Sequence, residues 1–423
     1  MRGLVGEHIV ELKIGDITID TWQRIRVEHD MLSAADSFDM TFGVSSWDPR
    51  VEPEPIIQRL RAYAKAFARV ELYIDGARQL HGLMDTIRGV GGPGGPAIQI
   101  TGRDLGGQLE DEYMPTSFNY KGLPLLDLLA RATAKWSIPI VIGNEDNRVV
   151  VTMKKKAHQI KDLEKAKKQK WYKNVVGKPV QGYAFTTGGG VSDTLTAFSL
   201  VVANRKLNKE VKPDPDDTRW DFISDLLRVQ DLLGWFAADG TFIVGVPNYD
   251  QEPLFHVTCA VKTPGMPMPK QRGPDMNNVE EGEVKEAPGQ RYSSVYVFGR
   301  QGKDPIRAEA HDTELEALGV DRPCYHRDKK VDSIEEAQRV ADRLLIESKI
   351  RGTSYSYKLT GFGQGDFLYA FDTVFDVWDD EPSRYVHDQL YCTSLVQEYD
   401  GENQGPTTSV TLQPKGIIEV PTS

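Results

Sequence analysis

Phe38, Met40 and Phe42 are separated by single polar residues, and this period of two constrains the chain more than any other feature of it. A strand sends alternate side chains to opposite faces, so Ser37-Phe-Asp-Met-Thr-Phe42 predicts a strand with one face in a core. Val70, Leu72 and Ile74 alternate in the same way and run into Asp75-Gly76, a pair suited to the left-handed backbone of a tight hairpin turn, with Leu80 to Ile87 as the answering strand. His8 to Ile14, Ile17 to Val27 and Ile98 to Gly102 complete the set, the last after a turn-rich stretch from Gly89 to Pro96. Five or six short antiparallel strands predict a small barrel or sandwich over residues 1–105, of which the barrel is taken as the expectation.

The pattern changes after Arg103-Asp104, and residues 106–255 read as an α+β domain. Pro124 suits a first helical turn, and Leu125, Leu126, Leu128, Leu129, Ala132 and Trp136 follow at helical spacing. A second helix is expected from about Trp220 to Leu233, with Thr218 and Asp221 at its start, Trp220, Ile223, Leu226, Leu227 and Val229 on its apolar face, and Gly234 at its end. Trp235 to Val246 then reads as a hairpin around Asp239-Gly240. Residues 256–290 read as a linker.

Strand patterns return from Tyr292, and residues 291–423 are expected to form a second barrel region. Ser333-Ile-Glu-Glu336 is a capping box opening a helix over 333–351, with Ile334, Ala337, Val340, Ala341, Leu344 and Leu345 inward and Gly352 as its stop. Tyr355 to Leu359, Thr373 to Trp378, Gln389 to Val396 and Thr408 to Leu412 follow as strands. The predicted fold class is mainly β with α+β: two small antiparallel β-barrels of similar fold plus an α+β connecting domain.

One insertion stands apart. Residues 151–212 hold 14 Lys or Arg against 4 Asp or Glu, a local charge of +10 that leaves −21 on the remainder of a chain whose total is −11. Three readings stay open for this segment: a solvated lysine-rich stretch, a docking surface for an acidic partner, or a nucleic-acid contact in which Trp171 and Tyr172 stack on bases. The acidic total argues against a surface that grips nucleic acid throughout. No run of eighteen apolar residues and no apolar stretch near Met1 is present, so no membrane span and no secretory signal is expected. Cys259, Cys324 and Cys392 form no CxxC pair, which predicts reduced thiols.

Catalytic spacing is thin. No GxSxG, HExxH or GxxxxGK[ST] occurs, and the glycines of 89–95 lie between strands, where a hairpin loop is expected in place of a ligand cradle. Cys324 and His326 supply two ligands where tetrahedral zinc needs four, and no nearby His or Cys completes the set. Asp214, Asp216 and Asp217 lack the glycine and distal glutamate of a calcium loop and read as helix-capping acids. Asp379, Asp380 and Glu381 invite a glycosidase reading, but they are consecutive and fit a charged turn. No catalytic, cofactor-binding or metal residue is therefore assigned, no cofactor is expected, and the chain is not read as an enzyme.

Motif order gives a resemblance. Ser37 to Phe42, Val70 to Asp85 with its Asp75-Gly76 turn, Thr101-Gly-Arg-Asp104 running to Leu109-Glu-Asp111, Trp235 to Gly240, Ser333 to Gly352 with Tyr355 to Gly365, and the last strands to Pro414 together resemble the baseplate hub proteins of contractile-tailed phages. These are the Mu-type gpP-like tail proteins, whose architecture recurs in the N-terminal part of type VI secretion spike proteins. The basic segment 151–212 is longer than the family pattern. The resemblance implies a homotrimer in which two like barrels per subunit make a pseudo-sixfold ring between the hexameric tail tube and the trimeric central spike. It implies as partners the chain itself, the spike, the tube or a tube-initiator protein, and tape-measure and wedge proteins. DNA would pass through the channel without specific binding, in a virion tail baseplate assembled in the host cytoplasm. The residues then matter as fold elements: Asp75-Gly76, Gly102-Arg103-Asp104 and the Ser333 cap. The alternative is a tail-associated cell-wall or glycan hydrolase working through Asp379 to Glu381.

Overall fold

The computed structural model describes residues 4–5, 8–43, 55–92 (without 66), 95–115, 120–142 (without 122), 149–151, 210–260 (without 229, 231, 248 and 250), 277–300, 306–328, 331–401 (without 366) and 404–416. Nearly all of the basic segment, with Trp171 and Tyr172, lies outside them.

The alternation at the two ends of the chain produces one mixed, mostly antiparallel sheet of 14 strands among the described residues. Its first half runs His8–Ile14, Arg69–Ile74, Ala77–Gly92, Gly95–Asp104, Ser37–Gly43 and Arg24–Asp30. The inward residues of these strands, among them Val10, Leu12, Ile25, Phe38, Met40, Leu72 and Ile100, meet in one core. The second half continues through Val386–Asp400, Gln404–Pro414, Thr353–Thr360 and Val279–Glu286, with Val374–Asp379 and Phe255–Cys259 branching from Val386–Asp400. Its core gathers Phe255, Tyr357, Phe375, Val377, Tyr391, Leu395 and Leu412.

Val279–Glu286 and all but the first residue of Phe255–Cys259 fall inside 256–290, where a linker was expected. Val279–Glu286 carries Glu280, Glu281, Glu283 and Glu286, a polar pattern that hides a strand. It pairs along its length with Thr353–Thr360, and the hydrogen bond from Asn278 N–H to Thr258 O ties its start to Phe255–Cys259. The glycines of 89–92 and Gly95 are themselves paired in the ladder, Gly92 opposite Gly95.

Between the strand sets lies the α+β part. Leu125–Thr133 and Arg219–Arg228 are helices that pack with Gly106–Asp111 on a four-stranded sheet containing Leu233–Phe236 and Phe242–Gly245. Thr218 and Asp221 close the expected capping box at both ends, with N···O distances of 3.0 Å. The helix stops at Arg228, five residues short of Leu233, because Leu233–Phe236 is claimed by its antiparallel partner around the Asp239-Gly240 turn. Phe236 and Phe242 face the helices while Trp235 and Ile243 face the second strand set, so this hairpin is buried on both sides. A run apolar on both faces cannot be separated from a helix by periodicity. Gly234 belongs to the strand, and a Cβ there would lie 2.5 Å from the Phe242 ring.

Residues 294–352 form a further layer. Ser294–Phe298, Arg307–His311 and Pro323–Arg327 make a three-stranded sheet, and the helix Ile334–Gly352 covers one face through Ala337, Val340, Ala341 and Leu345. Ile334 was expected inside yet is 60% exposed, since the first helical residue leans toward the N-terminus, off the sheet. Gly352 is the last helical residue, with Thr353 already extended, and a Cβ there would come 2.4 Å from the Arg291 side chain.

Candidate assembly surface

The two strand sets join where Arg24–Asp30 pairs antiparallel with Val386–Asp400, from Asp30 opposite Ser394 to Arg24 opposite Asp400. Arg26 bridges this seam by donating to Glu398, with Glu28 at 3.2 Å on its own strand. The result is a continuous backbone ladder between residues 370 apart in sequence, in place of two separate bodies on a linker.

The elements singled out from sequence hold the turns and junctions of the first set. Asp75 (φ +51°) and Gly76 (φ +79°) form the two-residue left-handed turn, and the Asp75 carboxylate accepts from Ile9 N–H at 2.8 Å and meets His8 Nδ1 at 2.6 Å. Gly102 faces Leu83 O so closely that a Cβ would lie 2.3 Å from it. Arg103 reaches Asp85 at 2.7 Å, Asp111 at 2.6 Å and Glu110 at 3.3 Å, binding the last strand to the short helix behind it. Asp111 first and Asp85 next hold its guanidinium charged, above the usual arginine range. Asp104 is buried and caps the turn into that helix, accepting from Gly106 N–H at 2.8 Å. Burial, then the neighbouring Asp36, push its carboxyl well above the usual range.

The candidates for chemistry are placed apart and used up structurally. Asp379 is fully buried and takes the Arg384 guanidinium at 2.6 Å, while Asp380 bonds His387 at 2.8 Å and Trp378 Nε1 at 3.1 Å. Neither arrangement leaves two carboxylates facing across a cleft, so the geometry gives the hydrolase alternative no support. Burial first and Asp379 next raise the Cys259 thiol, which disfavours a nucleophilic thiolate. Cys324 and His326 lie on one strand, and Asp214 to Asp217 form a turn in which Asp214 N–H donates to Asp217 Oδ2 at 2.8 Å. Among the described residues no cluster of three metal-ligating side chains occurs, and no helix is long and apolar enough to cross a membrane.

Sequence reasoning missed a cleft of about 360 Å³ where the first strand set, the helix Arg219–Arg228 and the helix Ile334–Gly352 converge. Leu32, Trp220, Leu227 and Ile350 supply its apolar surface, and Arg228, Arg343 and Arg351 stand with Glu347 among its charged groups. Its parts come from positions far apart in the chain, so no local motif announces it.

Residues 9–104 match the family model described as Mu phage baseplate assembly protein GpP-like, N-terminal. Over these residues the first strand set is similar to the GpP-like N-terminal domain. No curated protein matches the sequence. Among solved structures, the tail protein from Neisseria meningitidis MC58 is 19% identical, with 97% of each chain covered and a TM-score of 0.67. The prophage MuSo2 43 kDa tail protein from Shewanella oneidensis is 14% identical, with 97% of this chain and 100% of that chain covered and a TM-score of 0.64. A chain of the Francisella PdpA-VgrG complex is 9% identical, with 97% of this chain and 58% of that chain covered and a TM-score of 0.50. At these identities the likeness is one of fold. The match to the GpP-like model thus lies within a chain that shares, over almost its whole length, the fold of these two tail proteins.

Proposed function

We propose that this chain is a structural baseplate hub of a contractile phage tail: a homotrimer that adapts the hexameric tube to the trimeric central spike. The observation that carries the proposal is the GpP-like N-terminal domain fused by backbone pairing to a second strand set, within a fold that covers phage tail proteins end to end. Three chains bearing two strand sets each offer six surfaces to a sixfold tube and three to a spike. The seam supports this reading, because a continuous ladder holds the two sets at one angle, as a ring requires. The work is then done by protein contacts, with no cofactor and no chemistry of its own.

The −21 outside the basic segment is assigned to surfaces that include the channel, where like-charge repulsion keeps passing DNA from sticking. Partners follow from the position: the spike, the tube or its initiator, tape-measure and wedge proteins, in a virion baseplate assembled in the host cytoplasm. Light-scattering mass of the purified chain, alone and with the spike from the same genome, tests the proposal. A trimer that joins the spike is expected. A chain that stays monomeric at every concentration and ignores the spike would overturn it.

A further inference from the structure

The helix Ile334–Gly352 covers one face of the three-stranded sheet formed by Ser294–Phe298, Arg307–His311 and Pro323–Arg327. Val295, Val297, Ala308 and Ala310 point into that core, so the alternation of a strand puts their neighbours Tyr296, Phe298, Arg307 and Glu309 on the opposite face. Register adds Tyr325 and Arg327 to it in two rows. Tyr296 stands between Glu309 and Tyr325, and Phe298 stands between Arg307 and Arg327. Tyr325 is 69% exposed, on a strand whose far edge pairs with no other strand among the described residues.

This face joins π surface to positive charge. The Tyr296 and Tyr325 rings are stacked, with centroids 5.3 Å apart and planes 16° apart. The Arg307 guanidinium lies 5.2 Å from the Tyr296 centroid and 5.9 Å from that of Phe298. Arg327 and Arg300, the latter two residues past Phe298, are exposed and have no ion-pair partner among the described residues. Arg307 meets Glu309 at 3.4 Å, but both side chains are more than half exposed, so water screens the pair and it is worth little. Asp328, beside Arg327, is buried and turned toward Arg228 at 3.7 Å.

A ligand that satisfies this face carries planar rings and negative charge close together. An acidic peptide would answer the arginines and leave the stack uncovered, and an apolar one would cover the stack and desolvate the arginines. Single-stranded nucleic acid answers both, because unpaired bases stack on aromatic rings while the phosphates between them meet arginine. With strands about 4.8 Å apart the face is roughly 10 Å across, room for about two or three nucleotides. Duplex DNA keeps its bases stacked inside and gains nothing from the rings, in keeping with a duplex that passes without sticking. We infer that the Tyr296–Tyr325 face is a binding site for single-stranded nucleic acid, with Arg300, Arg307 and Arg327 on its phosphates. The site does not depend on the trimer.

Fluorescence anisotropy of labelled twelve-nucleotide oligothymidylate and oligouridylate with the full chain tests the site. Binding is expected, and the tighter of the two strands names the source as DNA or RNA. Tyr325→Ala should weaken binding about tenfold and Tyr325→Phe should keep it, because the ring and not the hydroxyl stacks. Arg327→Ala should weaken it as well and lower the slope of log affinity against log salt by about one. Melting temperatures equal to that of the wild type exclude unfolding as the cause. No anisotropy change with either strand at about 100 µM chain and low salt overturns the site. Binding indifferent to Tyr325→Ala also overturns it and leaves the basic segment 151–212 as the contact. A wild type that prefers polyglutamate to both strands overturns it in favour of an acidic protein partner.

Discussion

Arg384 donates to Asp379 at 2.6 Å beneath the tip of a hairpin, and the Asp379 side chain has no exposed surface while that of Arg384 keeps 17%. Removing one member of such a pair leaves a buried charge without its partner. Arg384→Ala is expected to cost about 3 kcal/mol in urea denaturation, and Asp379→Leu with Arg384→Leu should recover most of that loss. A single variant as stable as the wild type would show that the pair does not anchor the tip.

Two glycines of the first strand set separate close approach from mere flexibility. Gly102 leaves room for no Cβ, which would sit 2.3 Å from Leu83 O and 2.6 Å from the Phe38 ring, whereas a Cβ on Gly89 meets nothing within 4 Å. Gly102→Ala should abolish soluble expression or lower the melting temperature by many degrees, and Gly89→Ala should stay within about 0.5 kcal/mol of the wild type. Equal effects of the two changes would refute the packing argument.

Asp104 makes stability depend on pH in a definite direction. Its carboxyl is raised by burial and then by Asp36, so the folded chain holds this proton more tightly than the unfolded one. Its contribution is full below the ordinary carboxylate range and is lost as pH rises through the raised folded value. Asp104→Asn keeps an acceptor for Gly106 N–H and removes the titration. The variant should therefore melt higher than the wild type at neutral pH, and its melting temperature should vary less between about pH 4 and 8. Parallel pH profiles would rule the assignment out.

Ser333 Oγ accepts from Glu336 N–H at 3.1 Å, and Glu336 returns a bond to Asp332 N–H at 2.9 Å. Ser333→Ala should cost about 1 kcal/mol, and Ser333→Asp should retain the cap. Equal stability of the alanine and aspartate variants would show that this cap contributes nothing.

The residues that announced themselves in the sequence did so through local rules. Phe38, Met40 and Phe42 alternate because a pleat alternates, Asp75-Gly76 turns because both residues tolerate positive φ, and Ser333 with Glu336 caps because helix N–H groups need acceptors. Leu233 to Phe236 escaped the same reading, since a strand buried on two faces has no polar side to set its period. Val279–Glu286 escaped for the converse reason: four glutamates on a strand leave the apolar alternation too faint to read.

Alternating strands, turns and caps were thus determined by the sequence itself, because each depends on residues within a few positions of one another. The pairing of Arg24–Asp30 with Val386–Asp400, the bond from Arg384 to Gly282 O beneath Tyr385 and the cleft built from residues 31 to 351 were decided only by tertiary structure. Each needs partners brought together by backbone ladders and buried side chains, and the free energy of such meetings is not encoded at either end alone.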